Sequence, residues 1–449
     1  MTEIAAIVLA AGKGTRMKSD LHKVLHPIAG RPMLMHLLAS VDALQPAKKV
    51  VVVGSGKDQL EAALNGTAEL AVQEPQLGTG HAVQQAEGAL ADFDGDVLIL
   101  YGDVPFVPTA TMRAMIERLH GDDAPAVVVL AFEPEDPTGY GRVIVESGRI
   151  VKMVEQKDAT TAEKAVRLCN SGLMAVKATD LFALLARVTD DNAQKEFYLI
   201  DIVNIANADG RTCVAVTTDP FDVAGINSRA QLAEMEAEWQ QRRRQRAMDE
   251  GATLIAPETV WFAFDTVVGR DVTIEPNVFF GPGVTVADNV VIHAFSHIEG
   301  ATIASGAEVG PYARLRPGAV LEEKSKIGNF VEMKKARLGK GAKANHLTYL
   351  GDAEIGAGAN VGAGTITCNY DGFFKYKTVI GEGAFIGSNS ALVAPVSIGA
   401  GAIVGAGSTV TADVSADALA LIRPEQKEKA GWAKRFRDAM TAKKAAKTA

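Results

Sequence analysis

Cysteine is scarce in this sequence: three in 449 residues, Cys169, Cys213 and Cys368, too few and too scattered for a disulfide framework or a cysteine-rich zinc site. A reducing, cytoplasmic setting is the expectation. Long apolar runs are missing as well. None approaches the roughly 18 residues that a membrane-spanning helix needs. The stretch 4–11 is apolar, but it has no positively charged leader and runs into glycines, so it reads as a buried strand rather than a signal peptide. No membrane insertion is expected. There is no excess of positive charge: 46 basic against 54 acidic residues leave a net charge of −8. That argues against a body-wide footprint for nucleic acid.

What is present is ordinary for a soluble protein. Hydrophobic residues make up 47% and charged residues 22%, which excludes wholesale disorder and a fibrous class. At roughly 150 residues per domain, the length predicts two or three domains. Strand-like runs at 4–10, 48–54, 96–103 and 124–132 alternate with helix-like runs at 32–44, 81–93 and 109–120. Such alternation implies βαβ units and a largely parallel sheet. This α/β domain is expected over 1–227. Residues 228–250 are polar and free of Gly and Pro and predict a linker helix, whose basic run 242–246 reads as a solvated face, since no aromatic residues interleave it.

Glycine then becomes dense: 24 of the 43 glycines lie within 251–407. Ile380, Ile386, Leu392, Ile398, Val404 and Val410 recur every six residues, as do Ile274, Phe280, Val286, Ile292 and Ile298. A period of six fits neither a helix nor a long strand, but it fits short strands joined by tight turns with one aliphatic side chain inward per strand. This predicts a hexapeptide-repeat parallel β-helix over 251–425, followed by a basic tail over 426–449 that is solvated beyond about residue 438. The repeat slips at 332–340 and is broken at 368–378, a loop rich in aromatics and lysine; insertions in solenoids tend to lie on the functional face.

At the end of the first strand, Leu9, Ala11, Gly12, Gly14 and Arg16 belong to the string LAAGKGTRM, with Lys23 seven residues on. Its glycines allow backbone N–H groups to approach phosphate, and Lys13 and Arg16 add charge. The string is neither the three-glycine dinucleotide fingerprint nor the phosphate loop. Asp103 follows a buried strand where open α/β sheets place ligands, and its oxygens suit Mg²⁺. On its own, Asp103 reads as well as a cap for the turn before Val104-Pro105. In the coil, His346 within Asn345–Asp352 is the single titratable base in a strongly polar segment, suited to taking a proton from an amine. A lone histidine in a coil is otherwise a structural group.

The string at 9–17 resembles the signature of sugar-1-phosphate nucleotidyltransferases. Together with Gln73, Gly78-Thr79, the strand end at Tyr101–Asp103, Gly141, Glu155, Asn170 and Asn227, the sequence resembles the bacterial bifunctional N-acetylglucosamine-1-phosphate uridylyltransferase/glucosamine-1-phosphate acetyltransferase family from about residue 4 to 435. The resemblance implies a Rossmann-like nucleotidyltransferase domain followed by a left-handed β-helix. It assigns UTP to Leu9, Ala11, Gly12, Arg16, Lys23, Gln73, Gly78 and Thr79, the sugar to Tyr101, Gly141, Glu155 and Asn170, and Mg²⁺ to Asp103 and Asn227. His22 stands where a proline is common before that lysine. In the coil the resemblance makes His346 the general base, with Glu332 a weaker candidate for orienting it. It gives Arg316, Lys334, Tyr349, Asn360, Asn369 and Tyr370 to the sugar phosphate, and Ala363, Ser388, Ala406 and Arg423 to acetyl-CoA. Similar proteins are homotrimers with acetyl sites between neighbouring coils. The rival expectations are a single-activity sugar-1-phosphate nucleotidyltransferase with a regulatory or oligomerising β-helix, and a non-catalytic scaffold.

Overall fold

A computed structural model describes residues 2–448. Two compact units emerge, Met1–Gln241 and Arg242–Ala449. In the first, strands β1 (Ile4–Ala10), β2 (Lys48–Val53), β3 (Glu69–Val72), β4 (Asp96–Tyr101), β5 (Val127–Phe132), β6 (Arg142–Glu146), β7 (Arg149–Val154), β8 (Cys169–Lys177) and β9 (Cys213–Thr217) form one sheet. Its order is β9-β5-β8-β4-β1-β2-β3, with β6 and β7 as an antiparallel ribbon off β8. The sequence alternation predicted a largely parallel sheet, and β1, β2, β3 and β4, and likewise β5 and β9, pair in parallel. The structure inserts β8 antiparallel between β4 and β5.

The burial of β1 explains its unbroken apolar run. Ala5, Ile7 and Leu9 enter one core, Ala6, Val8 and Ala10 the other. A sheet covered on both faces needs apolar residues at every position, not at alternate ones. Helices Met33–Asp42 and Thr109–Leu119 form as expected. The run 81–93 does not form a single helix: the chain is helical over Thr79–Gln84, then makes a separate 3₁₀ turn at Gly88–Leu90.

The second unit is a parallel β-helix with three faces, of ten, eight and eight short strands. Register pairs step 18, 17, 18, 17 and 17 residues from Thr273 to Val291, Glu308, Lys326, Lys343 and Asn360, then 25 to Phe385, where the loop 368–378 is spliced in. The six-residue series is the core: Ile274, Phe280, Val286, Ile292 and Ile298, and likewise Ile380 through Val410, are buried. Asn277, Asn289 and Asn389 take the left-handed conformation at corners, as expected of Asn. One corner departs from that rule. Phe295, Tyr312, Phe330 and Leu347 are left-handed there, with φ of 60°, 54°, 54° and 50°, and about half exposed. The rings of Phe295, Tyr312 and Phe330 stack at 4.9 and 5.1 Å, a contact that offsets part of the backbone strain.

A helix covers Arg229–Asp249, and the boundary between the units falls inside it. Its first half belongs to the first unit, where Glu236 accepts from the Ala29 N–H at 2.7 Å. Its second half belongs to the coil. Arg243 lies over the Phe262 ring at 4.8 Å and donates to the Thr266 carbonyl, and Arg244 donates to the Val260 carbonyl. The expected solvated arginine face is therefore partly a packing face. The tail is exposed over 426–447 and is helical over Trp432–Thr448, with Trp432 stacked on Phe436.

Candidate functional site

Strands β1 and β4 are neighbours from which the chain departs in opposite directions across the sheet, and such a reversal opens a crevice at the strands' carboxyl ends. Leu9 and Tyr101 are register partners, so Ala11-Gly12 and Gly102-Asp103 emerge side by side. A cavity of about 390 Å³ lies there, lined by Leu9, Ala11, Gly12, Lys23, Gln73, Gly78, Thr79, Tyr101 and Asp103, all expected, and by Gln76 and Glu196, which were not. A Cβ on Gly12 would meet no atom within 4 Å. At Gly78, φ is 116° and a Cβ would lie 2.6 Å from the Phe197 carbonyl oxygen, so only glycine fits. Gln76 donates to the Ala11 carbonyl, pinning the loop after β1.

Lys23 lies at the start of a 3₁₀ turn and its ammonium donates to Asp103 Oδ2 at 2.6 Å and to Asn227 Oδ1 at 3.1 Å. The two residues assigned to Mg²⁺ thus converge on one cation position. A carboxylate and an amide oxygen are the hard donors that Mg²⁺ takes, with substrate phosphates and water completing the shell, so these residues fit the ion. His22, in place of proline, keeps a proline-like φ of −57°, and its N–H donates to Gln59 Oε1 at 2.8 Å. That bond holds the loop before Lys23 in the way a ring would. Arg16 sits on an exposed turn and does not line the cavity.

A second cavity of about 190 Å³ shares Thr79 and Tyr101 and adds Gly141, Glu155, Asn170 and Gly172. The strand β8 is irregular between Asn170 and Met174. That bulge turns Gly172 against the Tyr101 ring, where a Cβ would come within 2.7 Å. Asn170 donates its N–H to the Gly141 carbonyl at 2.9 Å. Burial, reinforced by Glu155 and Asp103, raises the Tyr101 phenol far above its ordinary value, so it stays a donor. Burial, with Asp158 and Asp201 nearby, also raises the Glu155 carboxyl.

In the coil, the expected residues separate into two groups. Arg316, Lys334, Tyr349, Asn369 and Tyr370 lie along the second face, on strands Arg314–Leu315, Glu332–Lys334, Tyr349–Gly351 and Ile366–Cys368 or just beyond them. Arg316 pairs with Glu332 at 2.8 Å, and Asn369 donates to Asp352 at 2.5 Å. The neighbouring ammonium of Lys375, with Arg316, holds Lys334 below the ordinary lysine value. Lys375, a residue the sequence reading passed over, completes a cationic cluster. His346, Ala363, Ser388 and Ala406 instead end or follow first-face strands at the other corner, where Arg423 donates to the Ala406 carbonyl at 3.0 Å. Asn360 is on the first face too, away from the group to which the resemblance gave it. Leu347 and Asp352 mark the two corners, five residues or about 16 Å apart at roughly 3.3 Å per residue. Glu332, expected as a partner for His346, is engaged by Arg316; His346 Nδ1 lies 2.5 Å from Asn329 Oδ1.

Residues 6–197 match the MobA-like NTP transferase domain, and 265–300 and 377–412 match the bacterial transferase hexapeptide repeat. The bifunctional protein GlmU of Sphingopyxis alaskensis is 77% identical over 443 residues, 99% of this chain and 98% of that protein. GlmU of Novosphingobium aromaticivorans is 74% identical over 445 residues, 99% of each chain. GlmU of Zymomonas mobilis is 59% identical over 438 residues, 96% of this chain and 97% of its own. With a nucleotidyltransferase sheet, a left-handed hexapeptide coil and relatives aligned along almost its whole length, this chain belongs to the GlmU family of bifunctional proteins.

Proposed function

We propose that this chain is a bifunctional transferase. Its coil transfers acetyl from acetyl-CoA to glucosamine-1-phosphate, and its first unit transfers uridylyl from UTP to N-acetylglucosamine-1-phosphate, giving UDP-N-acetylglucosamine and pyrophosphate. The observation that carries this reading is the pair of adjoining cavities around Tyr101, one floored by β1 and Lys23, the other by Glu155 and Asn170. A nucleotide and a sugar seated in them would meet at the Lys23–Asp103 end of the sheet.

In the first reaction the amine of the sugar attacks the thioester carbon, the C–S bond breaks, and His346 takes the amine proton and passes it to the departing thiolate. The cluster of Arg316, Lys334 and Lys375 supplies charge for the sugar's phosphate. In the second, a phosphate oxygen of the acetylated sugar attacks the α-phosphorus of UTP in line, and the bond to the β-phosphate breaks. Lys23 offsets the negative charge that would repel the nucleophile, Gly12 and Gly78 give the backbone close access to nucleotide, and Tyr101 donates to the sugar. Asp103 and Asn227 would hold Mg²⁺, which when bound neutralises charge on the triphosphate.

Oligomerisation is part of the reading. The cations Arg316 and Lys334 of the sugar-phosphate group lie at a different corner of the coil from the base, so on this reading a neighbouring coil brings them together, as in the homotrimer the resemblance implies. The exposed Phe373 and Phe374 of the loop 368–378, and the half-exposed ladder at the base's corner, offer apolar surface for such contact. Three free cysteines suit a cytoplasmic enzyme. No helix among the described residues is long and apolar enough to cross a membrane.

The test is to supply glucosamine-1-phosphate, acetyl-CoA, UTP and Mg²⁺ and follow CoA and pyrophosphate together. Both should appear. Asp103→Ala should lower pyrophosphate release by roughly 10²-fold or more while leaving CoA release unchanged. Pyrophosphate release from pre-acetylated sugar, with no CoA release from glucosamine-1-phosphate, would favour the single-activity rival instead.

A further inference from the structure

Resting on the reading of His346 as the acetyl-transfer base, we infer that Asn329 is a positioning residue that fixes the working tautomer of that base. Strands Lys326–Asn329 and Lys343–His346 are parallel neighbours, and Asn329 is the register partner of His346. The two strands approach closely because Gly328 has no side chain; a Cβ there would collide with the Asn345 carbonyl. Leu347 N–H donates to the Asn329 carbonyl at 3.0 Å, so the backbone on both sides of the pair is tied. The result places Asn329 Oδ1 2.5 Å from His346 Nδ1.

An amide oxygen can only accept. The contact therefore selects the ring form with its proton on Nδ1 and leaves Nε2 with the lone pair that a base needs. A neutral partner also differs from the carboxylate seen in many such pairs. It orients the ring without adding a negative charge that would favour the imidazolium, and a base that must release its proton to a thiolate in the same turnover gains from that. Two other polar side chains lining this corner have partners of their own: Lys326 pairs with Glu308, and His293 Nδ1 lies 2.9 Å from Glu275 Oε1. Neither carboxylate is a partner of His346, and Glu332 is held by Arg316.

The experiment compares Asn329→Ala, Asn329→Asp and His346→Ala in the full chain, with uridylyl transfer as the check that each variant is folded. Asn329→Ala should lower kcat for acetyl transfer roughly 10- to 10²-fold with KM little changed, a part of the 10²- to 10⁴-fold that a general base supplies. Asn329→Asp should restore much of that loss and move the acidic limb of the kcat/KM profile upward by about one pH unit, because the added charge favours the imidazolium. In ¹⁵N spectra of histidine-labelled protein, the wild type should show His346 protonated at Nδ1, and Asn329→Ala should show a mixture of both ring forms. If His346→Ala loses acetyl transfer but Asn329→Ala retains it within about twofold with the same pH profile, the role of Asn329 is overturned while the base assignment stands. If His346→Ala itself keeps acetyl transfer, the base assignment fails and the inference fails with it.

Discussion

Two glycines of the nucleotide cavity separate binding from folding at the scale of single residues. Gly12 lines the cavity and has open space where a Cβ would go, whereas Gly78 is left-handed and pressed against Phe197. Gly12→Ala should therefore unfold within about 0.5 kcal/mol of wild type, since no packed neighbour is disturbed, yet lose uridylyl transfer by roughly tenfold or more as its methyl occupies the approach to phosphate. Gly78→Ala should cost about 2–3 kcal/mol, read as a lowered denaturant midpoint. Equal destabilisation by both would contradict the geometry. Glu155 gives a pH signature. Its folded pKa is raised above the unfolded one, so its contribution to stability falls as pH rises from the ordinary carboxylate range through the raised value. Glu155→Gln should thus gain stability relative to wild type at pH 7.5 but not at pH 4, which paired melts can show. Much of this site was legible because its residues follow strand ends in chain order. Gln76, Glu196, Lys375 and Asn329 were not, since their value comes from partners far along the chain. Asn329 carried one usable signal: it precedes His346 by 17 residues, one turn of the coil.

Elements were most legible where one pattern ran long. The six-residue series could belong only to a coil, and every member quoted from it is buried. The antiparallel β8 was hidden, because its apolar sequence is the same whichever direction its neighbours run. The connecting helix was legible as a helix but not in its allegiance, since the packing of Glu236 on Ala29 and of Arg243 on Phe262 is a tertiary matter. That division has a consequence for where the first unit can be cut. A chain ending near residue 227 keeps Asn227 but discards Glu236 and Gln240, which is fully buried. It should melt lower than a chain ending at 241, by several degrees for the roughly 1–2 kcal/mol that a lost charged hydrogen bond and its packing represent. Both should retain uridylyl transfer at low temperature. Equal melting temperatures would show that the helix's first half contributes nothing to the first unit.

For the whole molecule, the separation of the acetyl-site residues onto two corners decides what mixing can achieve. One coil presents His346 at its first corner and Arg316 with Lys334 at its second, with a face of about 16 Å between them at roughly 3.3 Å per residue. Glucosamine-1-phosphate is too small to bridge that face, so on the proposed assignment of the acetyl site a complete site takes one corner from each of two chains. His346→Ala and Arg316→Ala chains should each be inactive in acetyl transfer when alone. Assembled together at random in equal amounts, each interface has an even chance of drawing an intact base from one neighbour and, independently, an intact arginine from the other. About a quarter of the sites should then be whole, and acetyl transfer should return to about a quarter of wild type in a homotrimer with independent interfaces. Uridylyl transfer, whose proposed residues Lys23, Asp103 and Asn227 meet within one chain, should stay constant through the mixing series. Trimers shown by differential tags to be mixed, yet as inactive as their parents, would mean that each acetyl site is built within a single coil, and that the two corners serve different ligands.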